Sequence, residues 1–300
     1  MQQLIGTGGW EHESYDGSLY GRRAVSAEDR LALYARVFDA VEVRSTFWDA
    51  TITRADARRW VDAVSGNRAF LFSVKLHSSY THAREIRRGL SLTVAGLLEE
   101  LARDGRLGAL LLQFPFSFTN TSGSRYHLAR IAELFRGFPL FAELRHSSWS
   151  QHGLIGFLRE NGLSPVSSDF PRIRGFMPFT SGVTGETAYL RLHGRNERGW
   201  LVNGMDTRYD YLYNGREIVE LRRRVETLSA KARRVIVIFN NTTGAKAIGN
   251  ALELTSALRG GKTLSIPEDT LRAFPSLQRI ASPSTGTESL FDTEEYREAM

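Results

Sequence analysis

The chain of 300 residues contains no cysteine. That excludes disulfides, thiolate metal sites and cysteine nucleophiles, and it fits a reducing cytoplasm, where the protein is expected to reside. No apolar run is long enough to cross a bilayer, so no membrane partner is expected. The opening "MQQLIGTGGW" lacks a basic stretch followed by a long apolar core and does not read as a signal peptide. Chemical signatures are missing as well. No Gly-x-Ser-x-Gly elbow marks a serine nucleophile. "GTGGW" lacks the Gly-x-Gly-x-x-Gly spacing of a dinucleotide fingerprint, so it reads as a tight strand-to-loop turn and no nucleotide cofactor is expected.

What is present is an ordinary globular mixture, 42% hydrophobic and 24% charged, with an excess of basic over acidic residues of +6. A basic balance favours anionic partners such as phosphates or nucleic acid. Yet the arginines fall in scattered groups (Arg22–Arg23, Arg58–Arg59, Arg87–Arg88, Arg222–Arg224, Arg233–Arg234), mostly where helices would face solvent.

Short apolar runs alternate with amphipathic stretches. The runs Leu4–Gly8, Ala40–Arg44, Ala69–Lys75, Leu107–Gln113, Leu140–Arg145, Ser164–Asp169, Thr187–His193 and Arg234–Asn240 read as strands covered on both faces. Between most of them lie helical patterns; "SAEDRLALYARVF" opens with Ser26 as N-cap and Asp29 three residues on. Eight such units predict a TIM-like (β/α)8 barrel over residues 1–260, with a partly mobile C-terminal extension over 261–300. The sixth crossover, "FPRIRGFMPFTSGVTG", reads as loop. A monomer is the expected state.

In a closed parallel barrel, catalytic groups gather at the C-terminal ends of the strands. Those ends carry Trp10, Glu42, Arg44, Lys75, His82, Gln113, Glu143, Arg145, His146, Asp169, Arg191, His193, Asn240 and Asn241. The phrase "VEVRSTFW" at 41–48 is echoed by "AELRHSSW" at 142–149. Residues two apart on a strand share a face, so Glu42 with Arg44, Glu143 with Arg145, and Arg191 with His193 are each expected to point into one mouth. Trp149, Trp200, Tyr209 and Tyr211 add aromatic faces in nearby loops, suited to stacking. A divalent cation on Glu42, Glu143, Asp169 and His193 is a secondary reading, because each Glu already has an Arg two residues away.

These segments resemble the domain-of-unknown-function 72 (YecE-like) family from roughly Leu4 to Leu258. The motifs that carry it are "GTGGW", "VEVRSTFW", "FLFSVKLHSSYTH", "LLLQFPFSF", "FAELRHSSW", "AYLRLHGR", "YDYLYNGREI" and "IFNNTTGAKAIGNA". The resemblance implies a TIM-like barrel and no established reaction. It marks Gly9, Trp10, Glu42, Lys75, His82, Gln113, Pro115, Glu143, Arg145, His146, Trp149, Asp169, Arg191, His193, Gly194, Tyr209, Tyr211, Tyr213, Asn240, Asn241, Gly244 and Asn250. This chain departs from the family pattern in carrying Arg44 for Asn and Trp48 for Tyr.

The leading expectation is an enzyme holding an anionic, phosphate-bearing substrate in the mouth. Glu42, Glu143, His193 and Asp169 would move protons, and Trp10, Lys75, His82, Gln113, Arg145, His146, Trp149, Arg191, Tyr211, Asn240 and Asn241 would bind substrate. Phosphoester or glycosidic hydrolysis and isomerisation all fit. The alternatives are a non-catalytic nucleic-acid-binding barrel, an endonuclease-IV-like protein by fold analogy, or a closed salt-bridge network with a structural role alone.

Overall fold

Eight parallel strands close in chain order: β1 (Gln2–Gly8), β2 (Ala40–Val43), β3 (Leu71–Lys75), β4 (Leu107–Gln113), β5 (Leu140–Glu143), β6 (Leu163–Asp169), β7 (Thr187–Leu192) and β8 (Arg234–Phe239), with β8 pairing back onto β1. This computed structural model describes residues 1–20, 26–202 and 205–282; Arg22–Arg23 and the polar stretch 283–300 lie outside the described residues. The architecture is a TIM barrel. Several strands stop short of the apolar runs that announce them, so Arg44, Arg145, His193 and Asn240 sit just beyond the ladder.

The crossover helices start where the local chemistry starts them. Ser26 with Asp29, Thr53 with Asp56 and Asn214 with Glu217 each form a capping box, satisfying backbone N–H groups that the first helical turn leaves unpaired. No helix joins β6 to β7 among the described residues, in keeping with the loop composition of that segment. Beyond the last crossover helix, Lys246–Leu258, the chain turns back onto the barrel. Leu264 pairs with Ala281, Leu277 is buried, and the Thr270 hydroxyl donates to the Ser18 carbonyl at 2.5 Å.

Alternation along the strands sorts side chains into two cores. Outward residues pack under the helices, and the inward set is Leu4, Ala40, Leu71, Ala109, Leu111, Phe141, Val166, Tyr189, Ile236 and Ile238. Each fully buried Leu or Phe is worth about 1.5–3 kcal/mol relative to exposure. The same parity carried toward the C-terminal ends reaches Gly8, Glu42, Arg44, Lys75, Gln113, Glu143, Arg145, Ser168, Arg191, His193 and Asn240. The apolar floor thus has a charged layer resting on it. Gly8 leaves room for this layer: a Cβ there would fall 2.6 Å from Asn240 Oδ1 and force that side chain to shift.

Candidate active site

At the centre of the charged layer lies Arg191, 2% exposed, between Glu42 and Glu143, both fully buried. Its Nε and Nη2 donate to the two oxygens of Glu42 at 2.8 and 2.7 Å, and its Nη1 donates to Glu143. The Tyr189 hydroxyl donates to Glu42 Oε2 at 2.8 Å, and Arg145 Nε donates to Glu143 Oε1 at 2.7 Å. One guanidinium therefore joins two carboxylates from different strands. Bidentate, charge-assisted bonds of this kind offset the desolvation that burial imposes. Burial alone would push both carboxyls up, but the Arg191 charge outweighs it. Glu42 is held below the usual carboxylate range, and Glu143 well below it.

His193 completes the network. Its Nδ1 lies 3.1 Å from Asn240 Nδ2 and its Nε2 3.1 Å from Glu143 Oε2, while its ring stacks on Phe170 at 4.7 Å. With Asn240 donating to Nδ1, the ring proton belongs on Nε2 and is donated to Glu143. Burial, opposed by Glu143 and assisted by Arg191, pushes the imidazole down to about 4. A sign for pH dependence follows. The unfolded chain takes up this proton near 6.5 and the fold only near about 4, so stability is lost as pH falls across that window. The carboxylates add their loss lower, as pH drops through their depressed values. Thermal melts of His193→Gln, which keeps a donor toward Glu143, are expected to fall less steeply than wild type between those two pH values. Parallel slopes would remove His193 as the source.

Three cations in the mouth have unspent capacity. Among the described residues Arg44 reaches only the Gly8 carbonyl and the Thr242 hydroxyl, at 3.3 and 3.4 Å. Arg145 uses Nε on Glu143, and its guanidinium lies 5.4 Å from the Trp200 ring and 5.7 Å from Phe170. Lys75 has no carboxylate or hydrogen-bond partner among the described residues; its Nζ lies 3.6 Å from the Phe47 ring centre and 5.6 Å from that of Trp48. Burial, then the Arg191 charge, hold this amine well below its ordinary range against the opposing pull of Glu42. Gln113 lines the wall, its Nε2 donating to the Phe114 carbonyl at 2.8 Å. His82 stands at the outer edge with its ring edge-on to Phe47, and partial burial with the charges of Lys75 and Arg145 pushes it to about 4.

Several residues expected in the mouth lie elsewhere. Val166 and Ser168 face inward, so Asp169 faces the helices. It accepts from Arg195 at 2.8 and 3.0 Å, Arg224 at 2.6 Å and Tyr213 at 2.8 Å, clamping the Gly215–Ser229 helix rather than serving the mouth as a proton carrier. Asn241 is also one residue out of phase and donates to the Tyr211 carbonyl and to Asn250. Trp10 is buried edge-on to Trp60 with Nε1 on the Ala27 carbonyl. Trp149 stacks on Phe118 and donates to its carbonyl. His146 accepts from the Ser148 amide and packs against Phe116, and Tyr211 donates to Glu217. Arg191 lies in the charged layer, with its donors spent on carboxylates. The Glu42–Arg44 pairing does not form either; Glu42 takes Arg191 instead.

The four groups considered as metal ligands do not converge, since Arg191 occupies both Glu residues and Asp169 faces away. Among the described residues no group of three or more His, Asp or Glu side chains could hold a metal ion. Sequence reading missed Tyr189, Phe170 and Phe176. The first two carry inward parity on β7 and just past β6. Phe176, which packs on Phe170 and Trp200 in the loop roof, leaves no periodic signal.

Comparisons with known proteins agree on one family. The family described as "Protein of unknown function DUF72" matches residues 4–272. The chain is 26% identical over 272 residues to the UPF0759 protein YunF of Bacillus subtilis, covering 85% of this chain and 94% of that one. Among solved structures it is similar to a DUF72 family protein of Thermotoga maritima, with TM-score 0.76 and 30% identity, covering 86% of this chain and 100% of that one. A second, from Enterococcus faecalis, matches with TM-score 0.75 and 29% identity over 88% of this chain and 96% of that one. No helix among the described residues is long and apolar enough to cross a membrane.

Proposed function

Starting from the fact that the chain belongs to the DUF72 family, we propose that it is an enzyme acting on a small anionic substrate held at the C-terminal mouth of the barrel. The observation that carries this reading is the surplus of positive charge there. Glu42 and Glu143 are spent on Arg191, and among the described residues nothing anionic is left for Arg44 or the outer nitrogens of Arg145. A phosphate or carboxylate would supply the missing partner, and a guanidinium fixed beneath Trp200 binds it with little entropy loss. Two buried donors without partners among the described residues, Ser168 Oγ and Trp200 Nε1, suit an anionic ligand. In this reading Glu42, Arg191, Glu143, His193 and Asn240 hold the binding groups in place, and Lys75 and His82 exchange protons with substrate. Isomerisation suits such a set better than hydrolysis, since among the described residues no free carboxylate faces the mouth to activate water.

The nucleic-acid alternative is weaker. Several outer arginines are neutralised in place: Arg58 by Asp62, Arg59 by Asp56, Arg87 by Glu85 and Arg272 by Asp269. Calorimetric titration with phosphate and sulfate separates the readings. Arg145→Ala and Arg44→Ala are each expected to weaken binding about tenfold or more, as loss of a charged hydrogen bond does. Arg233→Ala, removing a side chain 83% exposed, should change nothing. The Arg222–Arg224 group is unsuitable as a control, because Arg224 holds Asp169. Equal losses at Arg233 and Arg145 would refute binding at the mouth.

A further inference from the structure

We infer that Lys75 is a carbonyl-reactive amine, which condenses with an aldehyde or ketone group next to the anionic group of the substrate to form a Schiff base. The inference rests on the anion-binding reading above and names the substrate class for that site: an oxo acid or a phosphorylated carbonyl compound.

Residue choice is the first observation. The chain's 39 basic residues include only four lysines, Lys75, Lys231, Lys246 and Lys262. Lys231 and Lys262 are exposed and Lys246 pairs with Asp210, so Lys75 alone is buried. Everywhere else in the mouth the cation is arginine, which binds anions better and cannot give up its proton. A lysine at this one position supplies what arginine lacks, a lone pair on nitrogen.

Surroundings are the second observation. The Nζ of Lys75 lies over the Phe47 ring, 8% of the residue is exposed, and no carboxylate or hydrogen bond holds the amine. The charged groups that face it are Arg44 and Glu42 from the β2 segment, His82 beyond β3, Arg145 after β5 and Arg191 on β7. Glu42, the sole anion of that set, is already shared between Arg191 and Tyr189. Burial and three guanidinium groups therefore disfavour the ammonium form, the circumstance in which a lysine becomes a nucleophile near neutral pH. Arg145 and Arg44 would hold the anionic end of the substrate while its carbonyl carbon meets Nζ.

The step balances without an oxidant or reductant. The nitrogen lone pair attacks the carbonyl carbon, the C=O π pair moves to oxygen, and one N–H proton moves to that oxygen to give a carbinolamine. The second N–H proton then leaves with the hydroxyl as water, and a C=N bond remains. Once protonated, that bond accepts the electron pair released when an adjacent C–H or C–C bond breaks. Proton shuffling beside a carbonyl is the isomerisation branch of the proposed function.

The wild-type protein can be incubated near pH 7 with glyoxylate and cyanoborohydride, and the reduced adduct located by peptide mass mapping. Lys75 is expected to be labelled about tenfold or more ahead of Lys231, Lys246 and Lys262, since each unit of depressed proton affinity gives tenfold more free amine. Sulfate should protect it, and propanal, which carries no anion, should label it less. Preferential labelling by glyoxylate and propanal alike, without protection by sulfate, would keep the reactive amine and defeat the anion reading. Labelling of Lys75 no faster than the surface lysines, in a protein that still binds phosphate through Arg145, would overturn the inference and leave the anion reading standing. The comparison runs among lysines of one folded chain, so it does not depend on any variant folding.

Discussion

Arg191→Met is expected to lower stability at neutral pH by about 3–5 kcal/mol, the usual cost of leaving buried charge without its partner. Two carboxylates lose their shared cation at once, because Arg191 is the bidentate partner of Glu42 and also bonds Glu143. Burial at Glu42 would then be opposed only by the weaker effects of Lys75 and the Tyr189 hydroxyl, so its carboxyl rises, while Glu143 keeps Arg145 as a lesser compensation. The loss of stability toward acid should shrink accordingly. Wild type loses stability below about pH 6.5 through His193 and, lower, as pH falls through the depressed carboxyl values. The variant has a raised carboxyl, whose contribution is larger in acid and declines as pH rises through it. Denaturant unfolding at pH 5 and pH 7 measures both effects, and adding Glu42→Gln should recover part of the loss. A deficit under about 1 kcal/mol, as at an exposed pair, would mean that water reaches the network.

Asp169→Ala is expected to cost about 2–4 kcal/mol while leaving phosphate binding at the mouth unchanged. Asp169 is 3% exposed and accepts from Arg195, Arg224 and the Tyr213 hydroxyl, so its removal leaves the Tyr213 hydroxyl without its acceptor and the two arginines with Glu220 alone as a shared partner at the seam between β6 and the Gly215–Ser229 helix, Arg195 keeping Glu217 as well. The two arginines are about one-fifth exposed and regain some water, which keeps the cost below that of a fully buried network. Denaturant unfolding and calorimetry on the same preparation read the two quantities separately. Lost phosphate binding with stability intact would return Asp169 to the mouth.

The strands were legible because a strand covered on both faces must be apolar nearly throughout, and polar residues at its end are then conspicuous. Parity was the under-used signal. Counting by twos from Val166 and Ile238 puts Ser168 and Asn240 inside and Asp169 and Asn241 outside, whereas polarity alone selects Asp169, Asn240 and Asn241 together and passes over Ser168. Pairing across the barrel was not legible. Glu42 and Arg44 are neighbours in sequence, but the rigid fork of Arg191 reaches Glu42 from β7, and only the closed barrel brings those strands together. Within-strand spacing did suffice for Glu143 and Arg145. Phe176, which packs on Phe170 and Trp200, belongs to an irregular loop whose packing follows from no local period.

Binding of an oxyanion beneath Trp200 is the central claim, and a crystal soaked in selenate or tungstate tests it most directly through the anomalous signal of the heavy atom. The account predicts a peak inside the mouth, with oxygens within hydrogen-bond reach of the outer nitrogens of Arg145 and of Arg44. Peaks only on the outer helices, with the mouth empty at saturating anion, would contradict it.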